Sequence, residues 1–173
     1  MLIALTGTPG TGKTSAAKIL RSKGYRVHEV AELAKRFGAM EMSNDGGMGV
    51  DVERLASRLQ GMSLEGAMIV VGHLSHFLAP NLCIVLRCSP AELRRRLTVR
   101  GYPERKIRMN LEAEAIDLIL VEALECCEKV REIDATPLTP AEVADRVEEI
   151  VHGKSRGYLP GAVDWSEEVL SWY

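Results

Sequence analysis

Residues 7–14 read G-T-P-G-T-G-K-T, which matches the pattern G-x-x-x-x-G-K-[ST]. The preceding residues 2–6 form a short, mostly apolar run typical of a buried strand, and residues 15–20 favour a helix. Backbone N–H groups surround a phosphate only where the chain turns as glycine permits, and the next helix directs its free N–H groups at the same anion. The sequence therefore predicts a phosphate-binding loop (P-loop), and this context disfavours a chance glycine turn.

Two side chains of this stretch suit a nucleoside triphosphate. We expect Lys13 to neutralise the β- and γ-phosphates and the Thr14 hydroxyl to bind Mg²⁺. The expected ligands are therefore ATP, as phosphate donor, and Mg²⁺.

The composition is that of one globular domain. The 173 residues are 46% apolar and 27% charged, with a net charge of −2, which argues against bulk nucleic-acid binding. No apolar run approaches the roughly 20 residues of a membrane span, and the chain enters its first strand directly. We expect a cytoplasmic protein without a signal peptide.

The four cysteines lack a C-x-x-C pair and metal-ligand spacing. We predict that Cys83, Cys88, Cys126 and Cys127 are structural, buried and reduced.

Short apolar runs alternate with helical patterns along the chain. The predicted strands are residues 2–6, 25–28, 68–71, 82–86 and 130–134. Ser89 and Thr139 each precede proline and then glutamate, a pattern typical of a helix start, and residues 106–128 carry the apolar stripe of one long helix. We predict an α/β three-layer P-loop fold with a five-stranded parallel sheet.

Two stretches interrupt this alternation. Residues 38–51 are rich in glycine and include Asn44, and in a P-loop kinase they would belong to the acceptor-nucleotide region. A plain surface loop is the alternative. Four cations flank this stretch and remain unranked as acceptor contacts: Lys35, Arg36, Arg54 and Arg58.

The second stretch, residues 94–109, is rich in cations and would form the lid. Phosphoryl transfer needs positive groups over the phosphates, and the planar guanidinium pairs two oxygens at once. For any single arginine, a solvated helix face is the stronger alternative. Arg100, beside a Gly-Tyr-Pro turn, is the preferred phosphate contact. The cations are Arg94, Arg95, Arg96, Arg100, Arg105, Lys106 and Arg108.

His73 and His76 follow the third predicted strand, at the sheet edge where ligands of open α/β sheets bind. Either could orient water or phosphate, and a structural role is the alternative. The strand itself ends in Val71, where P-loop enzymes commonly carry a Mg²⁺-holding aspartate. The absence of an N-K-x-D motif argues against a GTPase.

The C-terminal tail is aromatic. It carries Tyr158, Trp165, Trp172 and Tyr173, half of the chain's aromatic residues. Packing of these side chains onto their own domain is favoured over partner binding.

Taken together, the P-loop, the G-H-L-S-H of residues 72–76, the R-G-Y of residues 100–102 and the D-W of residues 164–165 point to a family. The chain resembles the adenylate kinase isoenzyme six (CINAP) type, in particular its archaeal members, over nearly its whole length. The resemblance implies one nucleoside monophosphate kinase domain over residues 1–173, with an acceptor-nucleotide region at 28–51, a lid at 99–109 and a tail at 153–173.

The resemblance also implies function. Such proteins transfer phosphate from ATP to AMP-like acceptors, hydrolyse ATP, and act in late maturation of the small ribosomal subunit by binding a platform protein transiently. An ATP-driven assembly factor with little kinase activity and a small-metabolite kinase remain alternatives.

The family's functional residues map onto this sequence by position. His73 matches a histidine linked to hydrolysis, and Arg100 matches the lid arginine. Val71 departs from the family, which usually has an acid there, so either Glu29 or Asp51 substitutes through water or turnover is slow. The matching ATP contacts are Gly10, Gly12, Lys13, Thr14 and Ser15.

Overall fold

A computed structural model describes residues 1–42, 47–154, 156–170 and 172 of the chain. The strands in chain order are β1 (Leu2–Thr6), β2 (Arg26–Glu29), β3 (Met40–Met42), β4 (Met48–Val50), β5 (Met68–Val71), β6 (Leu82–Arg87) and β7 (Val130–Asp134). Five of them form a parallel sheet in the order β2-β5-β1-β6-β7. The predicted five-stranded parallel sheet is confirmed, and no predicted strand end differs from the observed one by more than one residue.

Helices connect these strands. They are α1 (Lys13–Ser22), α2 (Val30–Arg36), α3 (Val52–Gln60), α4 (Pro90–Val99), α5 (Glu104–Ala115), α6 (Leu118–Cys126), α7 (Pro140–Val151) and α8 (Ser166–Leu170). Short 3-10 helices cover Ser75–Leu78 and Arg156–Tyr158. None of the helices in the described part of the chain has the length and apolar character that a membrane crossing requires.

The sheet is covered on both faces because its side chains alternate in direction. Ile3 and Leu5 of β1 pack in one cluster with residues of α1 and α7. Leu2 faces the opposite side in a cluster with α2 and α3, and Ala4 lies on that side with residues of α6. This is the predicted three-layer arrangement, and it directs the carboxyl ends of β1 and β5 toward the P-loop.

The two predicted helix starts are confirmed. The Ser89 hydroxyl accepts a hydrogen bond from the Glu92 N–H at 3.3 Å, and the Thr139 hydroxyl accepts one from the Glu142 N–H at 3.3 Å. The Glu142 carboxylate in turn accepts from the Thr139 N–H at 2.8 Å. These caps satisfy N–H groups that have no partner within the first helical turn.

The single helix predicted over residues 106–128 is wrong. Helix α5 ends at Ala115 and α6 begins at Leu118, because Asp117 between them has a left-handed φ of 57°. The Asp117 carboxylate pairs with the Arg87 guanidinium, which compensates for the unfavourable backbone conformation. Apolar periodicity continues through this break, so the pattern alone did not reveal it.

The plain loop considered for residues 38–51 is also wrong where the structure describes it. Strands β3 and β4 pair in antiparallel register there, with Met40 opposite Val50. Asn44 and Gly46, which were part of that prediction, lie outside the described residues. The hairpin leads into α3, which is capped by Asp51.

Candidate active site

The P-loop connects the carboxyl end of β1 to the start of α1. Gly10 and Gly12 have φ angles of 101° and 105°, a region that residues with a Cβ rarely adopt. A Cβ added at Gly10 would also lie 2.6 Å from Cδ1 of Leu93. The glycines are therefore required by the backbone path and by the close approach of α4.

Lys13 lies at the centre of this loop. Its side chain is buried, and its ammonium group donates to the carbonyl oxygens of Gly7 at 2.5 Å and Thr8 at 2.9 Å. Burial lowers the pKa of Lys13 to about 7; the Glu114 carboxylate opposes this and the Arg100 guanidinium adds to it. Among the described residues, the hydrogen-bond partners of this ammonium group are neutral oxygens of the loop, and a bound phosphate would add negative charge beside it.

A cavity of about 350 Å³ opens beside the P-loop and joins the regions that the sequence singled out. The P-loop forms one wall, residues 29–31 and Val50 form a second, and the end of β5 with residues 72–74 forms a third. Arg100 and Tyr102 border it from the turn between α4 and α5. One cavity thus contacts the predicted donor, acceptor and lid regions, and its volume lies within the usual range for small-molecule sites.

Of the cations predicted in the lid, only Arg100 lines this cavity. It follows the last residue of α4, and no described side chain forms an ion pair with it. Arg94 instead pairs with Glu104 at 2.7 Å, and Arg95 pairs with Glu92 at 2.7 Å. These two arginines therefore lie on a solvent-exposed helix face, as the alternative interpretation predicted.

Arg96 has a different environment. Its guanidinium contacts Glu92 at 2.8 Å, the Thr11 carbonyl of the P-loop at 3.5 Å and the Ala135 carbonyl after β7 at 3.1 Å. It therefore ties α4 to the P-loop from outside the cavity. Arg105, Lys106 and Arg108 are exposed on α5. The predicted lid, residues 99–109, comprises the last residue of α4, a four-residue turn and the first turns of α5.

The two predicted histidines have different surroundings. His73 is exposed at the cavity wall, and partial burial, together with the charge of Lys13, lowers its pKa. His76 is fully buried: Nδ1 lies 3.0 Å from the Thr6 hydroxyl and Nε2 lies 3.1 Å from the Glu122 carboxylate. The role in orienting water or phosphate that was considered for His76 is wrong, because its ring joins β1 to α6 and does not face the cavity.

Burial lowers the pKa of His76 to about 4, in spite of the nearby Glu122 carboxylate. The neutral ring satisfies both contacts if Nδ1 accepts from Thr6 and Nε2–H donates to Glu122. The thiols of Cys126 and Cys127 donate to the His76 carbonyl at 3.4 and 3.3 Å. The prediction of four buried cysteines is wrong for Cys126, which is exposed because it lies on the last turn of α6 at the edge of the core.

Oxygen donors suitable for Mg²⁺ are present on the cavity wall. Thr14 is exposed in the first turn of α1 and lines the cavity together with Glu29. Glu29 and Val71 are register partners on neighbouring strands, so this carboxylate stands beside the position where an acid was expected on β5. Glu29 and Asp51, the two candidates, each stand at a helix N-cap, Glu29 before α2 and Asp51, which accepts from the Arg54 N–H at 2.9 Å, before α3. Of the two, only Glu29 lines the cavity. The donor set fits a magnesium ion that is held mainly by nucleotide phosphates.

The remaining predicted contacts lie outside the cavity. Ser15 follows Thr14 in α1, and its N–H donates to the Gly12 carbonyl at 3.1 Å. The four unranked cations of the acceptor region are exposed and do not line the cavity: Lys35, Arg36, Arg54 and Arg58.

Sequence reasoning missed a buried ionic network behind the P-loop. The Arg87 guanidinium pairs with Glu114 at 2.7 Å and with Glu132 at 2.8 Å, and all three side chains are at most 4% exposed. One detectable indication was Glu114, which lies three residues after Leu111 on the face of α5 predicted to be apolar. A charged residue on a buried face needs partners, which only the tertiary structure can identify.

The tail packs onto its own domain, as predicted, and part of it contacts this network. Trp165 donates through Nε1 to Glu114 at 3.3 Å, and its ring centroid lies 6.0 Å from the Arg87 guanidinium carbon. Tyr158 donates to Glu149 on α7 at 2.7 Å. Trp172 is 42% exposed and stands beside α4 and α5. Tyr173 lies outside the described residues.

Comparison with known proteins places the chain among P-loop proteins. Residues 3–117 match the family described as AAA domain. A protein of Archaeoglobus fulgidus named "Putative adenylate kinase" is 51% identical over 98% of this chain and 94% of its own length. A protein of Methanothermobacter thermautotrophicus with the same name is 46% identical over 98% of this chain and 99% of its own. A shikimate kinase from Acinetobacter baumannii superposes with a TM-score of 0.60 at 12% identity over 88% of this chain and 93% of its own, which indicates a shared fold.

Proposed function

This chain belongs to the AAA domain family of P-loop proteins, and from that premise we propose that it is a nucleoside monophosphate kinase of the adenylate kinase type. The reaction is transfer of the γ-phosphoryl group of ATP to AMP, which yields two ADP. The observation that carries this proposal is the single cavity bordered by the P-loop, the β2–α2 junction and Arg100. The relatives' name supports the same reaction.

The chain's own residues supply positioning and charge in this reaction. The P-loop N–H groups and Lys13 would hold the β- and γ-phosphates, and Arg100, which also lines the cavity, would add positive charge near the transferring group. Thr14 and Glu29 would hold Mg²⁺, which would supply positive charge to the phosphates. The acceptor phosphate attacks directly, so no covalent enzyme intermediate forms.

The second nucleotide would lie against the wall formed by residues 29–31 and Val50, within the predicted acceptor region. Val30, Ala31 and Val50 contribute an apolar surface there, which suits a nucleobase better than a phosphate. The exposed cations of this region do not reach the cavity, so we propose no acceptor-phosphate contact among them.

The test is a steady-state assay with ATP and a series of acceptors: AMP, CMP, UMP, shikimate or none. We expect AMP to raise ADP formation well above the rate without acceptor. If no nucleotide acceptor raises the rate above hydrolysis alone, the kinase proposal is wrong. A strong preference for the small metabolite would point to the alternative of a metabolite kinase.

We also propose that His73 supports a slower hydrolysis of ATP. His73 lines the cavity two residues after the end of β5. Partial burial and the charge of Lys13 lower its pKa, so the neutral ring is available to orient water.

A second candidate is an ATP-driven assembly factor that acts in late maturation of the small ribosomal subunit, as the resemblance to the CINAP type implies. Val71 favours it, because a strand that ends without an acid is expected to slow phosphoryl transfer. Leu118, Val121 and Leu124 of α6 are also each at least 40% exposed and offer an apolar surface to such a partner. Capture of a small-subunit platform protein that depends on ATP would support this candidate, and failure of capture in every nucleotide state would count against it.

A further inference from the structure

Glu114 is a buried carboxylate whose two oxygens bind different parts of the molecule. Oε2 accepts a hydrogen bond from the Thr8 hydroxyl of the P-loop at 2.5 Å. Oε1 accepts from the Arg87 side chain at 2.7 Å, the Cys88 N–H at 3.1 Å and Trp165 Nε1 at 3.3 Å. Glu114 therefore contacts the P-loop, the end of β6 and the C-terminal tail at once.

Thr8 connects the Glu114 carboxylate to the other residues of the P-loop. It is 1% exposed, and its carbonyl oxygen accepts from Lys13 Nζ at 2.9 Å and from the Thr11 hydroxyl at 3.0 Å. The Thr11 N–H also donates to it at 3.2 Å. A shift of Thr8 would move the group that holds Lys13, so the Thr8–Glu114 hydrogen bond helps to fix the shape of the loop.

Charge balance explains why the tail belongs to this arrangement. Two buried carboxylates, Glu114 and Glu132, face one buried guanidinium, so the network needs further hydrogen-bond donors. The tail supplies them: the N–H groups of Gly161 and Ala162 donate to Glu132 at 2.9 and 3.1 Å, and Trp165 donates to Glu114. Without these contacts, each carboxylate would lose hydrogen-bond donors and keep fewer groups that fix its position.

We propose that Glu114 is a positioning residue that couples the docking of tail residues 161–165 to the geometry of the P-loop, so that loss of the Trp165–Glu114 hydrogen bond weakens nucleotide binding. The proposal rests on the nucleotide-binding role of the P-loop given above. It adds the C-terminal tail, whose described residues do not line the cavity, to the determinants of nucleotide affinity.

The test is calorimetric titration of the full chain with Mg·ADP. Thr8→Val removes the hydroxyl with little change of shape, and we expect it to weaken binding about tenfold, the size of one hydrogen bond to a charged group. Trp165→Phe keeps an aromatic ring beside Arg87 but removes the N–H donor, and we expect a loss of about threefold. Thr8→Ser retains the hydroxyl and should restore the affinity.

The double variant distinguishes coupling from general destabilisation. If both residues act through Glu114, the losses of Thr8→Val and Trp165→Phe combine to less than their product. Tyr158→Phe is the matched control, because it removes another tail hydrogen bond, to Glu149, and should leave the affinity unchanged. The thermal midpoint of each variant is measured in parallel, since a purely structural role would lower it without changing the affinity of the folded protein.

Several results would overturn the inference. Unchanged affinity in Thr8→Val and Trp165→Phe, losses that multiply in the double variant, or an equal loss in Tyr158→Phe would each exclude coupling through Glu114 while leaving the kinase proposal intact. Absence of Mg·ADP binding to the unaltered protein would instead overturn the proposed function, and this inference with it. If Thr8→Val does not fold, Trp165→Phe against Tyr158→Phe remains a sufficient comparison.

Discussion

The P-loop and the arginine-rich segment at residues 94–109 both carry sequence patterns typical of phosphate binding, but they contribute differently to the cavity. The P-loop forms one wall of the cavity with Lys13 at its centre, whereas Arg100 is the only cation of the arginine-rich segment on the cavity wall. A P-loop is defined by backbone geometry within a few residues, so its local sequence specifies it. The direction of a side chain on a helix depends on what packs against that helix, which spacing along the chain does not reveal.

The largest expected effect concerns the P-loop. Lys13→Ala removes the only side-chain cation of the loop, and we expect phosphoryl transfer and hydrolysis to fall about 1,000-fold, as for loss of a major charge-stabilising group. Lys18→Ala, on an exposed position of α1, is the matched control and should retain activity. Rates of ADP formation measure both variants. Full activity of Lys13→Ala would contradict the phosphate-binding role of Lys13.

The second prediction concerns stability and the buried His76. Its pKa is lowered to about 4 in the folded protein, from an ordinary value near 6.5, so the unfolded chain binds more protons between these two pH values. Stability is therefore full above about pH 6.5 and decreases as the pH falls toward 4, by about 3 kcal/mol at most from this group.

Urea unfolding at pH 7.5 and pH 5 measures this effect. His76→Gln should lose part of the difference between the two pH values, while His152→Gln, at an exposed position, should keep it. An identical pH dependence in His76→Gln and the unaltered protein would show that another group is responsible.

The third prediction separates Arg100 from the other cations of its segment. We expect Arg100→Ala to reduce the transfer rate about 30-fold, because it removes a guanidinium from the cavity wall. Arg105→Ala, an exposed substitution on α5, should change the rate by less than about twofold. Equal losses in the two variants would mean that the whole segment closes over the phosphates.

The smallest expected effect is that of His73. His73→Ala should lower ATP hydrolysis about fivefold while transfer to AMP changes less, because water needs orientation and a bound acceptor phosphate does not. Parallel assays with and without AMP measure the ratio. An equal decrease in both rates would indicate a general role of His73 in the shape of the cavity.

Features specified by local sequence could be predicted. The five parallel strands, the P-loop and the caps at Ser89 and Thr139 each depend on neighbouring residues, and the structure contains all of them. The break at Asp117 escaped prediction because the ion pair with Arg87 that compensates for its left-handed backbone comes from a distant strand.

The candidate site also combines features set by local sequence with features set by tertiary contacts. The approach of Glu29 to the end of β5 depends on strand order, and the contacts of Glu114 depend on the fold of the tail. His73 and His76, three residues apart, face different environments for the same reason. The local sequence predicted the backbone turn of the P-loop, and tertiary packing decided which side chains line the cavity beside it.

The central claim is that donor and acceptor nucleotides share the cavity beside the P-loop. Titration with a compound in which two adenosines are joined by five phosphates tests it most directly, because that probe occupies both positions only if they are continuous. We predict one binding site per chain, an affinity well above those of ATP and AMP separately, and competition with both nucleotides. Binding that competes with ATP alone, or no binding, would contradict the account.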